Sequence, residues 1–209
     1  MSALRLMATG VTKEFNRRTI FRDVSISLSQ GESLAITGRN GSGKSTLVKV
    51  VAGLLSATRG KVEYLVDGKS IDHENMRSHI GLVTPYLQLY DEFSGRENLE
   101  LLSKIRSDAG VDGRRIEEVL EMVGLWERKS DYVRTYSSGM KQRLKYALAV
   151  LHRPSLLILD EPTSNLDHDG IGMVKKIVDE QKLSGVLIVA TNDSDEAGWC
   201  STNIELGRR

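Results

Sequence analysis

The stretch Gly38-Arg39-Asn40-Gly41-Ser42-Gly43-Lys44-Ser45-Thr46 constrains the fold more than any other part of the chain. It follows the apolar run Ser33-Leu34-Ala35-Ile36-Thr37 and opens into Leu47-Val48-Lys49-Val50-Val51-Ala52. A buried strand leading through a glycine-rich turn into a helix is the context in which this spacing binds phosphate. The glycines let the backbone curl until successive N–H groups converge on an anion, and the helix that starts there adds its positive end. Asn40, Gly41, Ser42, Gly43, Lys44, Ser45 and Thr46 form the candidate cradle. Lys44 is placed to lie across the β- and γ-phosphates, and the Ser45 hydroxyl to ligate magnesium. A glycine-rich turn that happens to contain Lys-Ser is the plain alternative, and the flanking strand and helix speak against it.

The second fixed point is the apolar run Leu156-Leu157-Ile158-Leu159, which ends in Asp160-Glu161. It suits a central parallel strand covered on both faces. Val186-Leu187-Ile188-Val189-Ala190 is another such run, and the spacing of Val174, Ile177 and Val178 predicts a helix over 171–183 between them. Right-handed crossovers then set these strands beside the one feeding the glycine loop, carboxyl ends together. That geometry delivers Asp160 and Glu161 to the phosphates. Asp160 is a candidate magnesium ligand, usually through water, because that hard ion takes oxygen donors and keeps much of its hydration. Glu161 faces the position beyond the γ-phosphate, where it can polarise an attacking water. Without a phosphate loop in the same chain, both would read as ordinary exposed acids at a strand terminus.

Ahead of the glycine loop, Leu4, Leu6 and Ala8 alternate with polar residues, Gly10 reads as a turn, and residues 24–28 have the period of two of a half-buried strand. Phe15 is a large aromatic in an otherwise polar connection; it can stack on a purine base or pin the hairpin to the core. After the loop come a helix stop and turn at Gly53 and at Thr58-Arg59-Gly60, a hairpin turning at Asp67-Gly68, and a short buried strand, Ile80-Gly81-Leu82-Val83. From Glu97 to Leu151 the pattern becomes helical, with Leu99, Leu102 and Ile105 in one stripe and Ile116, Val119, Leu120 and Val123 in another, both read as core.

The resulting fold class is α/β: a P-loop NTPase core with a parallel central sheet, an antiparallel β subdomain and an inserted helical subdomain. One domain over 1–209 is expected, with 1–84 and 152–209 as the nucleotide-binding core and 85–151 as the helical part.

Charge narrows the partners. Lys and Arg number 29 against 28 Asp and Glu, a net charge of +1, so nothing draws the whole chain to nucleic acid, and none is expected as a partner. Cys200 stands alone, so no intramolecular disulfide can form, and a small buried apolar residue is its simplest role. The apolar runs fall far short of the roughly 18 residues that a bilayer span needs, and residues 1–6 lack the pattern of a secretory leader. A soluble chain is expected, with any membrane connection through a partner.

Two further motifs identify a resemblance. Tyr136-Ser137-Ser138-Gly139-Met140-Lys141-Gln142-Arg143-Leu144 lies about twenty residues before Asp160-Glu161, and Pro162-Thr163-Ser164-Asn165-Leu166-Asp167 follows that pair. In this order, with the phosphate loop ahead, they resemble the signature and the post-strand loop of the ATP-binding subunits of ABC transporters, over almost the whole chain. The resemblance implies ATP and Mg2+ as cofactors and ATP hydrolysis that powers a separate integral membrane transporter subunit. It implies a cytoplasmic chain held peripherally on the cytoplasmic face of the membrane, with a leaning towards export. It further implies a head-to-tail dimer with a second copy, each ATP lying between one chain's phosphate loop and Ser137 and Gly139 of the other. Asp167 would cross the dimer seam, Phe15 would stack on adenine, and Ile20 would contact the same ring. The segment 84–98, with Tyr86, Leu87, Leu89, Tyr90 and Phe93, would receive a helix of the membrane partner.

The sequence departs from the family pattern twice. The family glutamine that touches magnesium aligns with Pro85, which has no polar side chain; Gln88, three residues on, is a possible substitute. The family histidine that reaches the γ-phosphate aligns with Asn192, whose amide can donate a hydrogen bond but has a shorter reach and no cationic form. Hydrolysis through Glu161 and magnesium is expected to persist at a reduced rate. The rival readings are an ATP-gated dimerisation switch without turnover and a non-transport ABC protein.

Overall fold

In the computed structural model, which describes residues 3–106 and 111–207, strand alternation builds a long hairpin first. Strands β1 (Leu4–Phe15) and β2 (Arg18–Ser29) pair antiparallel through a two-residue turn at Asn16 and Arg17, both left-handed at φ 47° and 65°. Gly10 is therefore not a turn. The strand runs through it as a bulge, where three steps on β1 from Ala8 to Val11 oppose two on β2 from Ile26 to Val24. Gly10, at φ 58°, takes the left-handed backbone that glycine adopts most readily, and its carbonyl lies so close to Gly60 of the neighbouring strand that a Cβ at 60 would come within 2.4 Å of it. Phe15 accordingly ends a strand and does not lie in a long connection.

The chain then forms β3 (Ser33–Thr37), α1 (Lys44–Val51), β4 (Arg59–Val66) and β5 (Lys69–Ile71). The turn between β4 and β5 uses Asp67 and Gly68, at φ 50° and 77°, as the sequence indicates. Residues 59 and 60, read as a turn, already belong to β4. Next come α2 (His73–Met76), β6 (Ile80–Val83), α3 (Gly95–Arg106), α4 (Gly113–Met122) and α5 (Ser138–Val150). The chain ends in β7 (Leu156–Asp160), α6 (His168–Ser184), β8 (Val186–Ala190), α7 (Ser194–Ala197) and β9 (Thr202–Glu205). Met1 and Ser2, within the stretch read for a leader, lie outside the described residues.

Two sheets result. One is antiparallel in the order β2-β1-β4-β5; the other is parallel in the order β6-β7-β8-β3-β9. Strand β8 is the direct neighbour of β3 and separates it from β7, so the two acid-bearing and loop-bearing strands are not adjacent. Edge strand β9 escapes sequence reading because Thr202-Asn203-Ile204-Glu205 has a single apolar residue.

Every residue of β7 and β8 is buried. With a side-chain period of two, Leu156, Ile158, Val186 and Ile188 join α1 and the antiparallel sheet on one face. Leu157, Leu159, Leu187 and Val189 join α4, α5 and α6 on the other. The helices of the middle third thus pack in one continuous cluster with the sheet face, where Leu120, Leu144, Tyr146 and Val174 are all fully buried. Of the two expected stripes, that of Ile116, Val119, Leu120 and Val123 is core, whereas Ile105 is 67% exposed near the end of α3 and belongs to no core. Among the described residues no helix is long and apolar enough to cross a membrane. Cys200 is half-buried, and burial pushes its thiol up to about 11, which leaves it inert.

Candidate functional site

Strand β3 ends at Thr37 and the chain turns through Gly38, Gly41 and Gly43, all at positive φ, before α1 begins at Lys44. Gly43 is the N-cap of α1 at φ 104°, where Ile20 of β2 packs against it: a Cβ at 43 would lie 2.7 Å from Ile20 Cγ2. This places Ile20 on the loop. Lys44 is only 5% exposed, and its Nζ donates to the Gly38 carbonyl at 2.8 Å and the Arg39 carbonyl at 3.4 Å. The ammonium is thus held inside the curl of its own loop, with Thr46 two residues further along the same helix.

Asp160, at the end of β7, is 2% exposed. Burial raises its carboxyl above the usual carboxylate range; the Ser45 hydroxyl bonded to it and the nearby Lys44 and Lys49 act in the opposite direction, while Glu161 adds to the rise. Its Oδ1 is buried without a hydrogen-bond partner. An orphaned carboxylate oxygen beside a serine hydroxyl is the donor set of a hard divalent cation, so the residues present fit magnesium. Glu161 follows in the left-handed region at φ 52°, with its N–H bonded to the Ala190 carbonyl at 2.9 Å. A non-glycine residue held there is a strained position of the kind that clusters at functional sites.

Asn192 follows β8 and is exposed, and its Nδ2 donates to Asn40 Oδ1 of the glycine loop at 3.1 Å. A cleft of about 550 Å³ opens here, lined by Thr37, Gly38, Arg39, Asn40, Asn192 and Glu205. The fold therefore gathers the 38–46 loop, Asp160, Glu161 and Asn192 at the carboxyl ends of β3, β7 and β8.

The signature residues lie elsewhere in the chain. Ser137 caps α5, its Oγ accepting from the Met140 N–H at 3.2 Å, and a Cβ at Gly139 would lie 3.2 Å from the Asn165 carbonyl. Among the described residues neither is hydrogen-bonded to the phosphate loop of the same chain. Asp167 caps α6, its Oδ1 accepting from Gly170 N at 2.8 Å and from Arg143 Nη2 at 2.7 Å. The Gly170 N–H, and then Arg143, hold its carboxyl below the usual range. Phe15 is 45% exposed at the hairpin end, with Lys13 Nζ 4.7 Å from its ring centre. Pro85 is exposed and Gln88 likewise; the Thr84 and Pro85 carbonyls accept from Lys145 Nζ at 3.4 and 3.2 Å. Tyr86, Tyr90, Phe93 and the neighbouring Tyr132 are 69%, 46%, 39% and 50% exposed.

Arg143, Lys145 and Glu196 are neighbours of the site that sequence reasoning passed over. Arg143 lies within the 136–144 motif, whereas Lys145 and Glu196 lie outside every motif of the sequence.

Residues 21–164 match the family described as ABC transporter. An uncharacterised ABC transporter ATP-binding protein of Bacillus subtilis, YhcH, is 41% identical over 79% of this chain and 53% of its own length. The linearmycin resistance ATP-binding protein LnrL of the same organism is 35% identical over 90% of this chain and 60% of its own. This chain thus spans little more than half the length of these relatives. A solved dimeric bacterial ABC transporter cassette superposes with a TM-score of 0.81 at 26% identity, covering 96% of this chain and 94% of that one. With the family model matching residues 21–164 and the relatives this similar, the chain belongs to the ABC transporter family, as one of its ATP-binding cassettes.

Proposed function

We propose that this cassette binds and hydrolyses ATP as one half of a head-to-tail pair, and that the pair drives a separate membrane-embedded subunit. The observation that carries the reading is Asp160 Oδ1, buried and without a partner beside Ser45, at the foot of a loop whose glycines all take positive φ. Backbone N–H groups of residues 40–46 and the start of α1 hold the phosphates, and Lys44 exchanges its loop carbonyls for phosphate oxygens. Ser45 and Asp160 hold the metal, and magnesium, when bound, supplies positive charge against the β- and γ-phosphates. Glu161 orients the attacking water and takes its proton. Asn192 donates its amide N–H to the γ-phosphate, releasing Asn40, and Phe15 and Ile20 support the base. Ser137 and Gly139 of the second copy close the site, and Asp167 sits at the seam between copies.

The exposed aromatics Tyr86, Tyr90, Phe93 and Tyr132 form the surface that takes a helix of the membrane partner. This holds the chain on the cytoplasmic face of the membrane. Outward transport is the favoured direction, because a relative is named for linearmycin resistance. Asn192 bonded to Asn40 gives one reason to keep the switch reading, in which ATP binding dimerises the chain without turnover.

Phosphate release by the purified chain with MgATP separates these. The hydrolytic reading expects release from the wild type, ATP binding without release from Glu161→Gln, and neither from Lys44→Ala. Tight binding and dimer formation with no release from the wild type would support the switch.

A further inference from the structure

Glu196 is 5% exposed, and its carboxylate sits between two loops. Oε1 accepts from the Thr163 backbone N–H at 3.1 Å and from the Thr163 hydroxyl. Oε2 accepts from the Thr191 hydroxyl. Thr163 lies two residues past Glu161, and Thr191 directly precedes Asn192. The local chain aims Glu196 at this spot. Asp193 caps the single turn α7, its Oδ1 accepting from Asp195 N at 2.7 Å and Glu196 N at 3.3 Å. The Asp193 N–H in turn donates to the Thr191 hydroxyl at 2.9 Å, closing a small ring of hydrogen bonds.

Burying a carboxylate is costly unless donors satisfy it, and a well-packed apolar residue would often stabilise the fold as well or better. What the three donors to Glu196 provide is placement. Glu161 and Asn192 follow the ends of different strands, β7 and β8, whose pairing reaches only as far as the Glu161 N–H to Ala190 carbonyl bond. Beyond that bond Glu196 ties the two loops together through Thr163 and Thr191. Glu161 also holds a left-handed backbone, which persists only where the surroundings over-determine it. On the same loop, Tyr146 of α5 donates its hydroxyl to the Pro162 carbonyl at 2.7 Å. The loop bearing Glu161 is therefore held by side chains of two helices, α5 and α7.

We propose that Glu196 is a positioning residue for hydrolysis: through Thr163 and Thr191 it locks the Glu161 loop to the Asn192 loop, so that both side chains meet the γ-phosphate in one fixed arrangement. The inference rests on the hydrolytic reading. It assigns Glu196 no contact with nucleotide, so its effect belongs in kcat and not in ATP affinity.

The test compares wild type, Glu196→Ala, Glu196→Gln and Thr163→Val for kcat, KM, MgATP affinity and melting temperature. Glu196→Ala frees the loop, and misplacement on the ångström scale costs of the order of 100-fold in rate. The expected result is a loss in kcat approaching that size, with MgATP affinity unchanged. Glu196→Gln restores most of the rate, because its amide oxygen accepts from the Thr163 N–H while its NH2 donates to the Thr191 hydroxyl. Thr163→Val falls between, and combining it with Glu196→Ala costs less than the product of the two single losses. If Glu196→Ala fails to fold, the glutamine and valine variants carry the test, with the valine slower and the glutamine near wild type. A kcat equal to wild type in the variants, with only the melting temperature lowered, overturns the positioning role alone. So does a fall of MgATP affinity in step with kcat. A wild-type chain that binds MgATP and releases no phosphate overturns the hydrolytic reading, and the positioning role with it.

Discussion

Replacing Gly43 with alanine tests how the phosphate loop is held. Gly43 caps α1 at φ 104° and ψ 8°, a conformation outside the ordinary range of an L residue. The left-handed backbone alone costs alanine about 1–2 kcal/mol. Its new Cβ would also lie 2.7 Å from Ile20 Cγ2 and 3.3 Å from Phe21 Cδ1. Ile20 is β-branched and sits on β2, so it cannot swing away cheaply, and overpacking of this kind adds about 1–3 kcal/mol. The sum is a loss of roughly 2–5 kcal/mol, measurable by urea unfolding followed through tryptophan fluorescence. In an Ile20→Ala background the 2.7 Å clash is gone and only the milder 3.3 Å approach to Phe21 Cδ1 remains, so the cost of the same change should fall towards about 1–2 kcal/mol. A loss below about 0.5 kcal/mol, or one that is equal in both backgrounds, would refute the reasoning.

Tyr146→Phe removes the buried hydroxyl that donates to the Pro162 carbonyl and should cost about 1–3 kcal/mol by the same unfolding assay, because the carbonyl is left unpaired. The start of α3 predicts a pH dependence. Ser94 and Glu97 bond reciprocally, Ser94 N to Glu97 Oε2 at 2.7 Å and Glu97 N to Ser94 Oγ at 3.2 Å, and the Ser94 N–H, then its hydroxyl, holds the Glu97 carboxyl below the usual range. A carboxyl depressed in the folded state contributes stability that is fully present above its unfolded pKa of about 4 and is lost as pH falls through the folded value. Unfolding free energy should therefore decline below about pH 4, and less steeply in Glu97→Gln; identical slopes in the two proteins would contradict this.

The parts of the fold and site legible in the sequence are those whose cause is local. Residues 38–46 declare a strand-loop-helix because glycine chemistry and flanking apolar runs coincide, and Asp67-Gly68 declares its turn for a similar reason. β7 and β8 announce themselves as unbroken apolar runs. What escaped depends on partners distant in sequence. Gly10 looks like a turn, yet the pairing of β1 with β2 carries the strand through it as a bulge. β9 has almost no apolar signal because it is an edge strand resting on β3. Ile105 keeps the stripe of α3 but reaches no core. Glu196 lies in the acidic run Asp193-Ser194-Asp195-Glu196, which reads as a solvated helix start, and only the fold turns that one carboxylate inward. The spacing of Asp193 as a cap three residues ahead of it is the one local hint.

The central claim is that one chain holds only half of a working site, since among the described residues Ser137 and Gly139 make no hydrogen bond to the phosphate loop of their own chain and are proposed to complete that of a second copy. The most direct measurement is the specific rate of phosphate release over a dilution series of the purified chain, with sedimentation in the same samples to mark where monomer prevails. The account predicts that the rate per chain rises with concentration as dimer forms and falls to near zero in the monomer range. A rate per chain that stays constant into the monomer range would contradict it.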